Sequence, residues 1–295
     1  MSELTRGEVV GADPSAAIED LQRRIRGYSG RGLVAFSGGV DSSVVLALAT
    51  GALGARAVEA VTAISPSYPA GELEVAARTA ARLGVAHRTV RTFEVEREPY
   101  ARNDALRCYH CKAELYAALG RIARGAGRGT AVLAGANVDD LADVRPGLWA
   151  GERAGIRNPL LEGGIGKATV REVARVLGLD VADKPALACL SSRVEPGLRI
   201  TPELLERIDA AEQAVRVLGF ELVRVRHRGH LATIEVEHSR VDTLLGHPGL
   251  GDAVGAIGEL GWAEVRVDPA GYRQGNATGY RQGNATPVVL VRGSL

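Results

Sequence analysis

One segment most constrains the fold of this chain of 295 residues, the loop Ser37-Gly38-Gly39-Val40-Asp41-Ser42-Ser43. It ends a continuous apolar run that begins at residue 32, which is typical of a strand buried on both faces, and it opens a helical pattern over residues 40–53. Two glycines allow a tight turn that presents backbone N–H groups to an anion, and the helix N-terminus adds its dipole. The three serines supply hydroxyl donors, and Asp41 is suited to hold Mg²⁺ or to order the loop. The loop therefore predicts a phosphate-binding site.

Strands and helices alternate around this loop, which favours an α/β fold with a mostly parallel sheet. The sequence predicts strands at residues 32–37, 55–65, 87–95 and 130–136, with helices at 14–27, 40–53, 71–84, 111–127 and 167–179. Beyond Pro196 the pattern changes to a smaller α+β unit, with helices at 201–219 and 241–260 and strands at 220–229, 230–237 and 262–268. We therefore expect two domains, residues 1–194 and residues 195–295. A tandem repeat, GYRQGNAT, occupies residues 271–286 and is too short for a solenoid.

Composition excludes several classes of protein. With 46% hydrophobic residues, 24% charged residues and a net charge of +1, the chain has neither the basic surface of a nucleic-acid-binding protein nor the composition of a disordered one. The longest apolar stretch, residues 44–55, is too short to span a bilayer, and the N-terminus lacks a secretory signal pattern. We expect a cytoplasmic protein that binds neither membranes nor nucleic acid.

The chain contains only three cysteines, Cys108, Cys111 and Cys189, and an odd, sparse set of this kind is not a disulfide framework. Cys108 and Cys111 form a C-x-x-C pair, for which half of a zinc site and a redox pair are alternatives. Cys189 is either a reactive thiol or an inert buried one. All three together are also suited to bind three irons of a [4Fe–4S] cluster, which leaves the fourth iron open to a ligand such as sulfide.

A second glycine-rich segment, Gly163-Gly164-Ile165-Gly166-Lys167-Ala168-Thr169, resembles a Walker loop. Leu161 occupies the first glycine position, Ala168 replaces the required Ser or Thr, and no apolar strand precedes it. We interpret it as a loop and a helix start. The chain contains only three lysines: Lys167 lies in this segment, Lys112 directly follows Cys111, and Lys184 lies five residues before Cys189. All other Lys or Arg positions are arginine.

The motifs together resemble a known family. The loop is similar to that of the PP-loop ATP pyrophosphatases (an adenine nucleotide alpha hydrolase-like fold), which cleave ATP to AMP and pyrophosphate. The stretches RCYHCK, GANVDDLADVRPG, DKPALACLSSR, GFELVRVRHRG and GYRQG resemble the LarE family of ATP-dependent sulfur transferases over residues 15–283. This resemblance implies that each carboxylate of pyridinium-3,5-biscarboxylic acid mononucleotide is adenylated and then converted to a thiocarboxylate, in the biosynthesis of the nickel-pincer nucleotide cofactor used in lactate racemase maturation.

The resemblance also implies roles for single residues. Ser37, Gly38, Gly39, Asp41, Ser42 and Ser43 would bind ATP with Mg²⁺, with Asp41 also catalytic, and Cys189 would be the sulfur-bearing catalytic residue. Members with a C-x-x-C use a three-cysteine [4Fe–4S] cluster, here Cys108, Cys111 and Cys189, whereas others sacrifice the single cysteine. Arginine guanidinium groups bind phosphate through two N–H groups at once, and the candidates for binding the substrate phosphate are Arg193, Arg224 and Arg226. The alternative is that these three are ordinary surface arginines. Asp139, Asp140 and Asp143 are candidates for Mg²⁺, for loop geometry or for a solvated turn.

Three other functions fit parts of the pattern. A PP-loop tRNA thiolase also combines the loop with three cluster cysteines, but the neutral charge and the three Phe and two Trp argue against an RNA-binding platform. An ammonia-using ligase would not need Cys189, and a nucleotide sensor would bind ATP without releasing pyrophosphate. We expect a small-molecule nucleotide substrate, a sulfide or other sulfur donor as co-substrate, and a homo-oligomer.

Overall fold

The computed structural model describes residues 13–127, 129–141, 146–185 and 188–273. Asp143 and the repeat from residue 274 onward lie outside these ranges. The helices and strands follow one another in the order α1 (Pro14–Tyr28), β1 (Arg31–Ala35), α2 (Val40–Leu53), β2 (Val58–Ile64), α3 (Glu72–Arg82), β3 (Ala86–Arg91), α4 (Glu98–Ala101), α5 (Arg107–Gly125), β4 (Thr130–Leu133), α6 (Pro146–Arg153), α7 (Pro159–Glu162), α8 (Lys167–Val176), α9 (Pro202–Arg216), β5 (Val223–Arg228), β6 (Leu231–Val236), α10 (Val241–Leu245), α11 (Leu250–Glu259) and β7 (Glu264–Val267).

The chain divides into two compact units. The first, which we call the N-terminal unit, comprises residues 1–65, 70–94 and 106–187, and the C-terminal unit comprises residues 66–69, 95–105 and 188–295. The C-terminal unit thus begins before residue 195 and takes in two earlier segments. Hydrogen bonds join these two earlier segments to the chain that follows Cys189. Leu190 N–H donates to the carbonyl of Ser67 (2.8 Å), and the Tyr100 hydroxyl lies 2.6 Å from that of Ser191.

The N-terminal unit is built on a four-stranded parallel sheet of order β3-β2-β1-β4, which confirms the α/β prediction. Helix α2 carries apolar residues around nearly its whole circumference and is buried at residue 40 and over residues 42–49. The chain leaves β1 on one side toward β2 and later returns on the other side as β4. Ligands bind at such a switch point, outside the carboxyl ends of the strands. The loop after β1 and the turn after β4 lie at this edge.

The C-terminal unit contains a three-stranded sheet in which β5 and β6 are antiparallel and β6 and β7 are parallel. Helix α9 has Thr201 as its N-cap, with the Thr201 hydroxyl accepting from Leu204 N–H (3.2 Å), as the sequence predicts. The single helix expected over residues 241–260 is wrong: it is two helices, α10 and α11, separated at residues 246–249, where Pro248 and two glycines interrupt the helical pattern.

Within the residues that the structure describes, no helix is both long enough and apolar enough to cross a membrane.

Candidate functional site

The loop between β1 and α2 is held together by hydrogen bonds of its own serine side chains. Ser42 Oγ donates to the carbonyl of Gly39 (3.0 Å) and accepts from the backbone N–H of Ser37 (3.3 Å). Gly38 has φ +75°, and a Cβ there would lie 3.2 Å from the Cβ of Ala76 in α3, so this position requires glycine. Ser37 is exposed and Gly39 half-buried. The loop is therefore preformed, with Ser37 and Gly39 accessible to a ligand.

Ser43 differs from the other predicted phosphate ligands. Its side chain is 0% exposed, and its hydroxyl has no hydrogen-bond partner among the described residues. A contact between this hydroxyl and ATP stays a prediction.

Asp41 is held from two sides. Asn137, in the turn that follows β4, donates from its Nδ2 to Asp41 Oδ1 (3.0 Å), and the ammonium group of Lys167 forms an ion pair with Oδ2. Gly135 permits this approach: a Cβ there would lie 2.9 Å from both the Asp41 carbonyl carbon and the Ser42 nitrogen. The Asp41 side chain is 24% exposed, and a carboxylate that solvent reaches suits a Mg²⁺ ligand.

The aspartate side chains in the turn after β4 accept hydrogen bonds from backbone N–H groups and so fix the backbone there. Asp140 Oδ2 accepts from the backbone N–H of Asn137 (3.0 Å), and Asp139 Oδ2 accepts from that of Lys167 (2.5 Å). Of the alternatives for Asp139 and Asp140, these contacts support the ordering of the turn. Sequence reasoning missed Asn137 and Lys167; the scarcity of lysine was the one signal that pointed to Lys167.

The C-x-x-C pair lies in the first turn of α5, which begins four residues earlier than the sequence predicts. Cys108 is exposed and Cys111 half-buried, and their i, i+3 spacing puts both on one face of the helix. Helix α6 packs closely here, since a Cβ on Gly147 would lie 3.1 Å from Lys112 Cγ and 3.6 Å from the carbonyl oxygen of Cys108. The two side chains form half of a soft-metal donor set held on a packed helix.

In the C-terminal unit, Cys189 precedes a 3₁₀ turn that buried arginine side chains hold in place. The Arg193 guanidinium, 1% exposed, donates to the carbonyls of Ala188 (2.7 Å) and Cys189 (2.9 Å) and is paired with Glu212 (2.8 Å). Arg226 donates to the carbonyl of Ser192 (2.8 Å). The half-buried Cys189 is thus presented by a fixed backbone. We call residues 188–193 the cysteine turn.

The sheet of the C-terminal unit has one polar face that is nevertheless buried. Arg224 and Arg226 lie on this face of β5, opposite Glu235 and Thr233 of β6. Arg226 pairs with Glu235 (3.0 Å), whereas Arg224 donates to the carbonyl of Val223 and lies against the ring of Tyr272. Burial, together with the positive charge of Arg193, lowers the pKa of Arg224 to about 10.

These contacts locate the three arginines predicted for the substrate phosphate. Arg193 and Arg226 are each paired with a carboxylate and bound to the cysteine turn, and all three are buried. They are not ordinary surface arginines. Phosphate binding stays a prediction. The partners Glu212 and Glu235 were not anticipated, although Glu235 belongs to the alternating pattern of β6, which places it on the same face as Arg224.

The three thiols match the chemistry of an iron–sulfur donor set. They lie in two different units, Cys108 and Cys111 in the N-terminal one and Cys189 in the C-terminal one. Over the described ranges, no three His, Cys, Asp or Glu side chains are gathered to hold a metal ion. The cluster is therefore a prediction from the donor chemistry.

Comparison with known proteins agrees with this geometry. Residues 31–110, which include the phosphate loop, match the family described as asparagine synthase. The chain is 42% identical over 258 residues to an uncharacterized protein of Synechocystis sp., covering 88% of this chain and 95% of that protein. It is 35% identical over 261 residues to pyridinium-3,5-bisthiocarboxylic acid mononucleotide synthase of Lactiplantibacillus plantarum, covering 88% and 90%.

The parallel sheet and the phosphate loop define an ATP-utilising enzyme of the PP-loop class. Within that class, the similarity along nearly the whole chain is specific. The chain belongs to the LarE family, that of the Lactiplantibacillus plantarum synthase.

Proposed function

We propose that this enzyme is an ATP-dependent sulfur transferase that converts the carboxylates of pyridinium-3,5-biscarboxylic acid mononucleotide to thiocarboxylates. The observation that carries the proposal is the combination of two preformed parts in one chain: a phosphate loop whose Asp41 is held in place by Asn137, and Cys189 on a turn held by Arg193. The similarity to the Lactiplantibacillus plantarum synthase supplies the substrate. The enzyme works in the cytoplasm as a homo-oligomer, without nucleic acid.

The first step makes a carboxylate reactive. A carboxylate is a poor electrophile, so its oxygen attacks the α-phosphorus of ATP, the bond to the bridging oxygen breaks, and pyrophosphate leaves. The backbone N–H groups around Gly38 and Gly39 and the N-terminus of α2 stabilise the charge on the departing phosphates. Asp41, the carboxylate of the loop, is the residue that would bind Mg²⁺, which when bound neutralises phosphate charge.

The second step forms the carbon–sulfur bond. A sulfur nucleophile attacks the carbonyl carbon of the acyl adenylate, and AMP leaves with the electron pair of the broken C–O bond. We assign Cys189 to this step. Because Arg193 and Arg226 donate to the backbone carbonyls of Ala188, Cys189 and Ser192, the backbone that carries Cys189 is fixed, which reduces the entropy cost of positioning the sulfur.

The source of the sulfur distinguishes two forms of the proposal. In the first, Cys108, Cys111 and Cys189 hold a [4Fe–4S] cluster, which when bound would carry sulfide from a donor over many turnovers. In the second, Cys189 itself attacks; loss of its α-proton and cleavage of its Cβ–S bond then leave dehydroalanine in the chain and the sulfur on the substrate. We favour the first form because the C-x-x-C pair has no role in the second.

The test is turnover of the anaerobically purified protein with ATP, the biscarboxylic acid mononucleotide and sulfide. We expect AMP, pyrophosphate and thiocarboxylate in equal amounts, since each carboxylate consumes one ATP. Cys108→Ala abolishes sustained turnover if the cluster form is correct, and iron analysis of the wild type then gives about four irons per chain. A colourless wild type that loses the sulfur of Cys189 in a single turnover supports the sacrificial form. Release of AMP without any thiocarboxylate contradicts both.

A further inference from the structure

The glycine-rich segment that resembles a Walker loop lies beside the phosphate loop. Its lysine, Lys167, is the first residue of α8, and its ammonium group is paired with Asp41. Its sequence predicts only a loop and a helix start, because it lacks a preceding strand and a Ser or Thr after the lysine. In the structure, this segment does not form a phosphate loop itself. Its Lys167 instead places a positive charge beside the phosphate loop that residues 37–43 form.

The placement of Lys167 is fixed by its backbone. Asp139 Oδ2 accepts from the Lys167 N–H (2.5 Å), and a Cβ on the preceding Gly166 would lie 3.1 Å from that same oxygen, so the turn and the start of α8 fit closely. The ammonium group, by contrast, is at the end of a flexible four-carbon chain. The backbone can therefore stay in place while the charge moves to a new partner.

The Lys167–Asp41 pair is poorly suited to be a stability device. The side chains are 28% and 24% exposed, and pairs that solvent reaches contribute little to folding. Its position suits an electrostatic role instead. The phosphate loop contains a carboxylate of its own, that of Asp41, which would repel a bound phosphate unless a nearby cation neutralised it.

We propose that Lys167 is a pyrophosphate-binding residue that exchanges Asp41 for the terminal phosphates of ATP when the nucleotide enters the loop. This inference rests on the proposed use of ATP. Asp41 stays positioned after the exchange because Asn137 Nδ2 still donates to its other oxygen (3.0 Å). Lys167 then neutralises the charge that grows on pyrophosphate as the α-phosphorus bond breaks.

The experiment measures binding of inorganic pyrophosphate, ATP and AMP by calorimetry, with EDTA present so that no metal contributes. Lys167→Met should weaken binding of pyrophosphate and of ATP about tenfold or more, since a charge-assisted contact to phosphate is lost, and should leave AMP affinity within about twofold. Lys167→Arg should restore part of the loss. The control is Lys184→Met: Lys184 is also half-buried and paired with a carboxylate, Glu72, in the same unit, and its removal should spare pyrophosphate.

A second variant tests the exchange itself. In Asp41→Asn the amide no longer competes for the ammonium group or repels phosphate, so metal-free pyrophosphate should bind several-fold more tightly than to the wild type. In the double variant Asp41→Asn, Lys167→Met, most of this gain should disappear. If Asp41→Asn tightens pyrophosphate binding equally with and without Lys167, the gain comes only from the loss of repulsion by Asp41. The proposed exchange of partners would then be wrong.

The remaining outcomes are distinguishable from failure of the proposed function. If the wild type binds ATP and pyrophosphate and Lys167→Met binds them equally well, the inference is wrong while ATP use stands. If Lys167→Met weakens AMP and pyrophosphate to the same extent, the lysine merely supports the loop and the inference is again wrong. A folded wild type that binds neither ATP nor pyrophosphate contradicts both.

Discussion

The charged groups of the two units differ in how deeply they are buried and in how many partners they have. At the phosphate loop of the N-terminal unit, Asp41 and Lys167 are partly exposed and hold each other through one ion pair. In the C-terminal unit, the Arg193 and Glu212 side chains are 1% and 0% exposed, and Glu212 also accepts from Arg216 and from the backbone N–H of Val225. The first arrangement can exchange partners for a ligand. The second fixes the backbone beside Cys189, and its removal leaves buried charge uncompensated.

The largest effect of this difference is expected at Glu212. Glu212→Gln removes the charge that compensates Arg193, so we expect the free energy of unfolding to fall by about 3–5 kcal/mol, as for other broken buried pairs. Chemical denaturation at neutral pH measures it. The control in the same unit is Glu98→Gln, whose bidentate pair with Arg199 is exposed and should matter little. Equal losses in the free energy of unfolding in the two variants would show that burial does not determine how much stability a broken ion pair costs.

A change at Gly135 tests the N-terminal unit. Gly135→Ala would place a Cβ 2.9 Å from the backbone of Asp41 and Ser42, so the phosphate loop must shift, at a cost of about 1–3 kcal/mol in stability. Because ligand contacts depend on this loop, we expect ATP affinity to fall as well. Gly120→Ala in α5, where the nearest atom is the Arg124 guanidinium at 3.5 Å, serves as control and should stabilise the helix slightly. Unchanged ATP binding in Gly135→Ala would contradict a preformed loop.

The smallest effect concerns pH. Burial, and secondarily the charge of Arg207, lowers the pKa of His227 below its ordinary 6.5, and its Nδ1 accepts from Trp262 Nε1 (3.0 Å). The unfolded chain therefore binds the proton more tightly, and the contribution to stability is complete above pH 6.5 and is lost as the pH falls below it. In His227→Gln this loss should be absent. Denaturation of both proteins at pH 8 and pH 5 measures the difference; parallel pH dependences would rule out His227 as its source.

Much of the N-terminal unit could be predicted because its elements follow local pattern. The apolar run before Ser37 and the uniformly apolar α2 mark a buried strand and helix, and α2 has the predicted bounds Val40–Leu53. Helix α5 begins earlier than expected because the polar first turn around Cys108 gives little periodic signal. The break between α10 and α11 was missed although Pro248 marks it.

The partners in the site could not be predicted in the same way. The pairing of Lys167 with Asp41 joins residues far apart in sequence, through the adjacency of β1 and β4, and no local pattern encodes it. Likewise Arg193 meets Glu212 only because α9 packs beside the cysteine turn. The residue types that carry the chemistry were visible, whereas the contacts that fix their positions depend on topology.

The most direct test of the account is the mass of the product formed by Cys189→Ala. Wild type and variant are incubated anaerobically with ATP, sulfide and pyridinium-3,5-biscarboxylic acid mononucleotide, and the mononucleotide is analysed by mass spectrometry. The account predicts thiocarboxylate product with the wild type and none with the variant, although the variant's phosphate loop still binds ATP. Thiocarboxylate formed by Cys189→Ala at the wild-type rate would contradict it.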